Sequence, residues 1–378
     1  MKYLLFATAY LYTDHPTGGI RRYRELSEYM KSNSDVTVCS FDDSQNMNAR
    51  GFKNHVHIEE GKKNGLYKLL PPIFRIFFAN RKVLNELSKE HFDKVVAFDI
   101  SPTTALIVWG FSHITMLIRM DSIGYERVIF KGSPFIREIK CSLLWIWELL
   151  CVLKVDRIIT QCKYDRNVIQ HRHPLLSAMI GHKTKIQINN VNPSWISCND
   201  TVKTEFIKLP LNDSFKVCFI GSFSDSRKGQ DVFLEAAIKI LKKDDQFEFI
   251  LIGGGSDLNK YKKEYENPKI LFLGRLTNPV NVLKQCNLLV VPSLADSCPN
   301  TVMEALYNDV PVIGSKRGGI PEILLDEVSL FDLDSLQLEK KILELKNDKQ
   351  CMVHMVSLQQ KRKKELTFNW AQIISELI

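Results

Sequence analysis

Residues 291–323 read VPSLADSCPNTVMEALYNDVPVIGSKRGGIPEI, and the order of residue types spells one local architecture. The apolar run Leu288–Val291 that leads into it is a buried strand, and the polar loop that follows holds Asp296. Pro299 suits the first turn of a helix, where a missing N–H costs nothing. Val302, Ala305 and Leu306 make one apolar helix face, Val310–Ile313 is a second strand, and Gly318-Gly319 breaks the chain again. The N–H groups near Asn300, Thr301 and Val302 open the helix, and such donors suit an anion or a hydroxyl. Glu304 lies one turn further in. A carboxylate there also gains from the helix dipole, so alone it reads equally well as a helix-stabilising charge.

Upstream, the same alternation continues. Phe215–Ile220 is a strand that ends in GSFSDSRKG, residues 221–229, a loop with Arg227 and Lys228 directly before a helix over 230–243. Backbone N–H groups, the helix dipole and two cations converge there, which suits a diphosphate. Phe247–Ile252, Ile270–Leu273 and Leu288–Val291 complete the strands, with Gly253–Gly255 read as a turn and 280–286 as a helix. The first half repeats the pattern. Residues 3–11 form a strand, Thr17-Gly18-Gly19 breaks it, and Ile20, Tyr23, Leu26 and Met30 have helical spacing. Further strands are expected at 36–41, 95–98, 114–118, 158–161 and 185–188. Strands alternating with helices imply parallel sheets with right-handed crossovers. The expected division is 1–200 for the first domain, 201–365 for the second and 366–378 for a closing helix, with the polar run 197–211 as linker.

The stretch 291–323 resembles the donor-site signature of the family-4 retaining glycosyltransferases, the "glycosyl transferases group 1". That signature is E-x7-E followed by A-x(2–3)-G-x-P-V and G-G-x-P-E. Here Asp296 and Glu304 keep the eight-residue offset, and Pro311-Val312 and Gly318–Glu322 follow in order. The first acid is one methylene short, and Asp309 stands where a helix-ending Gly is usual. The family's G-R-x(n)-K-G loop is matched by Lys228-Gly229; Ser222 replaces its Arg, and Arg227 is expected to compensate.

The resemblance implies an α/β fold of the GT-B type, with two Rossmann-like domains facing each other across a cleft. The closing helix would cross back to the first domain. The implied activity is transfer of a sugar, with retention of configuration, from a nucleoside diphosphate sugar to a saccharide or polyprenyl-pyrophosphate-linked acceptor. Capsule, O-antigen or exopolysaccharide assembly is the implied setting. Asp296 would hold donor sugar hydroxyls, Glu304 the ribose, and Lys228 the diphosphate. Pro299, Asn300 and Thr301 would form the helix start beside the donor, Arg275 would open the nucleoside pocket, and Gly18 and Gly19 would approach the donor closely. Arg119 or Asp121 would take the role of a cleft-edge His. No metal ion and no cofactor are implied. Arg21, Arg22 and Arg24 follow the glycines and could hold a phosphorylated acceptor. Two rivals share the fold: a sugar-nucleotide epimerase, and a non-catalytic nucleotide-binding paralogue.

Composition agrees with a two-domain globular protein. The chain has 378 residues, 45% of them apolar and 25% charged, with net charge +8. Residues 1–200 carry 27 Lys/Arg against 19 Asp/Glu, and residues 201–378 carry 24 of each, so the whole excess lies in the first half. A basic face attracts phosphate-rich partners. No zinc-finger or RRM pattern supports nucleic acid. The nine cysteines are scattered without a C-x-x-C, which suggests a reducing, cytoplasmic setting. The run 141–153 contains Glu148 and is shorter than the ~20 residues a membrane span needs. Two stretches, 66–84 and 135–154, interleave Lys/Arg with aromatic and apolar residues. They suit either an anionic membrane interface or a buried helix with a basic outer face.

Overall fold

A computed structural model describes residues 1–13, 18–61, 72–130, 132–191, 207–210 and 212–378, the side chains of 72–75, 125 and 129 excepted. Most of the expected linker, 197–206 and 211, and residues 66–71 of the first basic-aromatic stretch lie outside them. The chain forms two compact units, Met1–Gln187 with Trp370–Ile378, and Ile188–Asn369.

The first unit is built on seven parallel strands, β1 (Lys2–Phe6), β2 (Asp35–Ser40), β3 (Asn54–His57), β4 (Lys94–Phe98), β5 (Ile114–Ile118), β6 (Arg157–Thr160) and β7 (Thr184–Ile186). Their order is β3-β2-β1-β4-β5-β6-β7. Runs such as Val95–Phe98 and Ile114–Ile118 are buried throughout, as strands covered on both faces must be. The helices between them are α1 (Gly18–Asn33), α2 (Ser44–Ala49), α3 (Pro72–Ala79), α4 (Arg81–Leu87), α5 (Ile100–Val108), α6 (Ser122–Ile129), α7 (Pro134–Lys154), α8 (Lys163–Arg172) and α9 (Ser177–Lys183). The strand order reverses between β1 and β4, and the loops after those two strands part there. Such a switch point is where open α/β sheets bind ligands.

The second unit repeats the plan with β8 (Phe215–Ile220), β9 (Phe247–Ile252), β10 (Ile270–Gly274), β11 (Leu288–Val291), β12 (Val312–Ser315) and β13 (Leu330–Phe331), in the order β10-β9-β8-β11-β12-β13. Its helices are α10 (Gln230–Leu241), α11 (Leu258–Glu264), α12 (Val280–Leu283), α13 (Asn300–Tyr307), α14 (Ile320–Leu324), α15 (Ser335–Asn347) and α16 (Lys349–Glu365). Here the order reverses between β8 and β11. The last helix, α17 (Trp370–Leu377), returns to the first unit and packs on α1, where Arg22 lies 5.0 Å from the Trp370 ring.

The boundaries differ from the sequence expectation in several places, β1 ending at Phe6 rather than residue 11 and α12 at Leu283 rather than residue 286 among them, and three further differences have a visible cause. The units divide at Gln187/Ile188, upstream of residue 200, because Val191 is buried in the second unit's core and its N–H donates to the Leu366 carbonyl at 3.0 Å. The terminal helix starts at Trp370 rather than Leu366, since Leu366 and Phe368 belong to that same core. β12 starts at Val312 rather than Val310. Asp309, at φ 55°, turns the chain out of α13, and Pro311 has no N–H to give a ladder.

Candidate functional site

In the second unit, the loops after β8 and β11 are neighbours because those strands pair side by side. The first loop runs from Gly221 into the short turn Ser226–Lys228, and the Leu294 N–H of the second loop donates to the Arg227 carbonyl at 2.7 Å. This docking brings Lys228 and Asp296, 68 residues apart in sequence, together: Lys228 Nζ lies 2.5 Å from Asp296 Oδ2. Both side chains are largely but not fully buried, at 27% and 15% exposure, so the pair stays open to a ligand. Asp296 is itself held from behind. The Gly319 N–H donates to the Asp296 carbonyl at 2.9 Å. Gly318 has φ 58°, and a Cβ there would collide with the Asp296 backbone. The G-G of the sequence signature is therefore the seat of its first acid.

Directly after Asp296, Pro299 caps α13 in extended geometry and Asn300 and Thr301 open the helix. Asn189 reaches this start: its Nδ2 donates to the Cys298 carbonyl and to Asn300 Oδ1, each at 3.4 Å. Asn189 thus braces the helix N-terminus. Glu304 is almost buried on α13, at 9% exposure. Arg227 lies in the same loop, but its Nε and Nη2 donate to the Asp225 carboxylate at 3.1 and 2.7 Å, and Nη1 to the Ala295 carbonyl at 3.3 Å. It buttresses the loop. Ser222 accepts from the Ser224 N–H at 3.3 Å, and its hydroxyl faces the Gly254 carbonyl at 3.5 Å. Arg275, after β10, is exposed beside Gly254.

The first unit's switch point gathers a different set. Gly18 and Gly19 open α1, and a Cβ on Gly19 would occupy the place of the Arg119 guanidinium. Arg119, at the end of β5, donates from its backbone N–H to Asp99 Oδ1 at 2.9 Å and from Nε to Asp99 Oδ2 at 2.8 Å; Nη2 also contacts Asp99 Oδ2. The guanidinium lies 4.6 Å from the Tyr23 ring. Burial is the largest single influence and opposes its charge, but the Asp99 carboxylate, the Tyr23 phenol and the hydrogen bonds to Asp99 together outweigh it and raise its pKa above the ordinary arginine value. Asp99 follows β4 and has φ 63°, a backbone region that non-glycine residues seldom adopt and that recurs at functional sites. The sequence reading missed Asp99; an acid directly behind the buried run Val95–Phe98 was the available signal.

Asp121 is engaged elsewhere. It caps α6, accepting the Gly124 N–H at 3.1 Å, and pairs with Arg172 Nη1 at 2.6 Å; Arg172 also donates to both oxygens of Glu148. Arg119 and Asp121 thus sit in separate networks. Among the three arginines after Gly19, Arg22 is 1% exposed, pairs with Glu25 at 2.9 Å and packs on Trp370. Its guanidinium is structural, which removes it from the expected acceptor cluster.

Three comparisons bear on this geometry. Residues 214–348 match the family model described as Glycosyl transferases group 1. An uncharacterised glycosyltransferase of Methanocaldococcus jannaschii is 29% identical over 185 residues, which are 47% of this chain and 44% of that protein; the match spans less than half of that curated relative. Among solved structures, sucrose-phosphate synthase from Thermosynechococcus elongatus superposes with TM-score 0.75 at 15% identity, covering 100% of this chain and 98% of that one. The Anabaena protein Alr3699/HepE, solved in complex with UDP-glucose, superposes with TM-score 0.68 at 16% identity, covering 100% and 99%. The fold of the whole chain is GT-B.

Proposed function

We propose that this protein, whose residues 214–348 match the group 1 glycosyltransferase model, transfers a sugar, with retention of configuration, from a nucleoside diphosphate sugar to a saccharide or lipid-linked acceptor of surface-polysaccharide assembly. The observation that carries the reading is the Lys228–Asp296 pair at the β8/β11 switch point, on loops that end at a helix N-terminus. In this reading the leaving diphosphate draws the Lys228 ammonium toward itself, and N–H groups at the start of α13 add partial positive charge where negative charge develops. Asp296, released from Lys228, accepts hydrogen bonds from hydroxyls of the donor sugar. Glu304 accepts from the ribose. Arg227 keeps the Lys228 loop seated on the Asp296 loop through Ala295. In the first unit, the Gly18-Gly19 turn and Arg119 are assigned to ligand binding at that unit's own switch point. With the Lys228 ammonium and helix N–H groups at the diphosphate, turnover is expected to proceed without a divalent metal ion. The basic excess of residues 1–200 supports an acceptor or surface that carries phosphate.

The test is incubation with a panel of nucleoside diphosphate sugars, UDP-glucose among them, and saccharide acceptors, with and without chelator. Release of nucleoside diphosphate with an acceptor product of unchanged anomeric configuration by NMR supports the reading. An isomerised donor sugar would make the protein an epimerase. Nucleotide binding with no product from any donor would make it a non-catalytic paralogue, and turnover abolished by chelator and restored by manganese would overturn the metal-free part.

A further inference from the structure

With Arg22 buried, the basic run after Gly19 keeps Arg21 and Arg24, which share one face of α1 with Glu28 and Lys31 by their helical spacing. Tyr12, from the loop after β1, lies against that face. Its backbone N–H donates to Asp42 Oδ1 at 3.1 Å, its hydroxyl contacts Glu28 Oε1, and its ring meets the buried Phe52 ring edge-on at 6.2 Å. Held at both ends, the ring is a fixed platform. Two guanidinium groups come to it: Arg24 of α1, with Cζ 5.9 Å from the ring centroid, and Arg50, which ends α2, with Cζ at 4.1 Å. The sum of those distances keeps the two cations within about 10 Å of each other.

The acids of α1 and of the turn between β2 and α2 are already engaged. Glu28 pairs with Lys31 at 2.5 Å besides meeting the Tyr12 hydroxyl, and Glu25 pairs with Arg22. Asp42 accepts from the Leu11 and Tyr12 N–H groups and from Ser40, and Asp43 caps α2 by accepting from the Gln45 and Asn46 N–H groups. Lys31 is engaged too, with Glu28 and with the Arg50 carbonyl at 2.9 Å. Among the described residues no acid pairs with the exposed Arg50 side chain.

We propose that Arg24 and Arg50 form a phosphoryl-binding clamp on the Tyr12 platform, which holds the phosphate or diphosphate of the acceptor with its saccharide toward the Gly18-Gly19 turn. A guanidinium over an aromatic ring leaves its in-plane N–H donors available, and these match pairs of phosphoryl oxygens. Two such groups on separate elements suit the several oxygens of a diphosphate better than the single planar pair of a carboxylate. Arg24 lies five residues beyond Gly19, about 7.5 Å along the helix axis, a span that one sugar ring with its phosphate ester can bridge. The clamp thus rests on the proposed glycosyl transfer for its role, and on its own geometry for its ligand.

The test begins with inorganic pyrophosphate, titrated calorimetrically into the full-length Lys228→Ala protein so that the loop after β8 contributes least. Binding should persist there, and adding Arg24→Gln with Arg50→Gln should weaken it at least tenfold. Arg50→Gln alone, at an exposed residue, should weaken it severalfold with thermal unfolding unchanged, which keeps the test valid if the double variant folds poorly. Arg81→Gln with Lys82→Gln, exposed on α4, removes the same charge elsewhere and should leave binding unchanged. No binding by Lys228→Ala, undiminished binding by the Arg50 variant, or an equal loss in the α4 variant overturns the clamp. Transfer assays then compare one sugar free, as its 1-phosphate and on a polyprenyl diphosphate. Arg24→Gln with Arg50→Gln should raise KM for a phosphorylated acceptor and not for the free sugar, and the acceptor affected identifies the source of the phosphate. Pyrophosphate binding at the clamp without any transfer leaves the clamp standing and removes the activity. Transfer whose KM is unaffected for every acceptor removes the clamp's role and leaves the activity.

Discussion

Replacing Lys228 by Ala is the perturbation most directly tied to the geometry. In the free protein its ammonium neutralises Asp296 across 2.5 Å, with 27% and 15% of the two side chains exposed. A partly solvated pair of this kind contributes about 1 kcal/mol or less to folding, so the melting temperature should fall by only about 2–4 °C. Ligand binding should suffer far more. A charged hydrogen bond to phosphate is worth about 1.5–3 kcal/mol, which corresponds to a roughly 10–150-fold rise in Kd. Calorimetric titration with nucleoside, monophosphate and diphosphate separates the contributions: the loss should be large for the diphosphate and near zero for the nucleoside. Asp296→Asn supplies the counter-test. It removes the anion that competes for Lys228, so diphosphate affinity should hold or rise while turnover with a donor falls. If Lys228→Ala leaves diphosphate affinity at the wild-type value, or weakens nucleoside and diphosphate equally, Lys228 is not the phosphate ligand and the argument from the switch point fails.

Four further outcomes follow from single residues. Glu304→Gln should raise the apparent donor constant with kcat little changed in steady-state assays, because a ribose contact is similar in ground and transition states. Gly318→Ala should lower the melting temperature and turnover together, since the new Cβ meets the Asp296 backbone at a φ of 58°; wild-type values for both would show that the seat of Asp296 gives way. Asp309→Gly should raise stability by about 0.5–1 kcal/mol in urea unfolding, because Asp309 holds φ 55° after α13 and its ion pair with Lys363 is exposed. Asp99→Asn keeps a side chain tolerant of positive φ but removes the charge facing Arg119, and should destabilise the protein by about 1–3 kcal/mol in the same assay.

The sheets were legible because most of their strands are short, largely apolar runs between turn residues. The ends read for Ile114–Ile118, Phe215–Ile220, Phe247–Ile252 and Leu288–Val291 are those observed. β3 was not read, because Asn54–His57 is a polar edge strand whose pairing with β2 depends on its partner rather than on its own pattern. The site was legible in its loops and not in its pairings. Lys228 and Asp296 each stood in a suggestive motif, but their contact depends on β8 lying beside β11 with 68 residues between them. Nor could the sequence say that Asp225, two residues before Arg227, takes up the guanidinium expected to compensate for the Arg that Ser222 replaces. Arg22 shows the same limit: three arginines within four residues look like a cationic patch until α17 places Trp370 on one of them.

The eight-residue offset between Asp296 and Glu304 gains a physical meaning from these positions. Eight residues within one helix would set the two acids about two turns and ~12 Å apart on one rigid backbone. Here the offset straddles a helix start. Asp296 sits in the loop, its backbone held by the Gly319 N–H and its carboxylate against Lys228. Glu304 sits within α13, nearly buried, behind the helix N-terminus that Asn189 braces. The two carboxylates are thus mounted on separate supports, one adjustable by whatever competes for Lys228 and one set rigidly by helix packing. A reacting sugar needs the first property, because its charge changes during transfer, and a ribose needs only the second. On the proposed reading, that division would let a shorter first acid serve, since Lys228 and the Gly318-Gly319 seat, rather than the length of the side chain, determine where the Asp296 carboxylate stands before a ligand arrives.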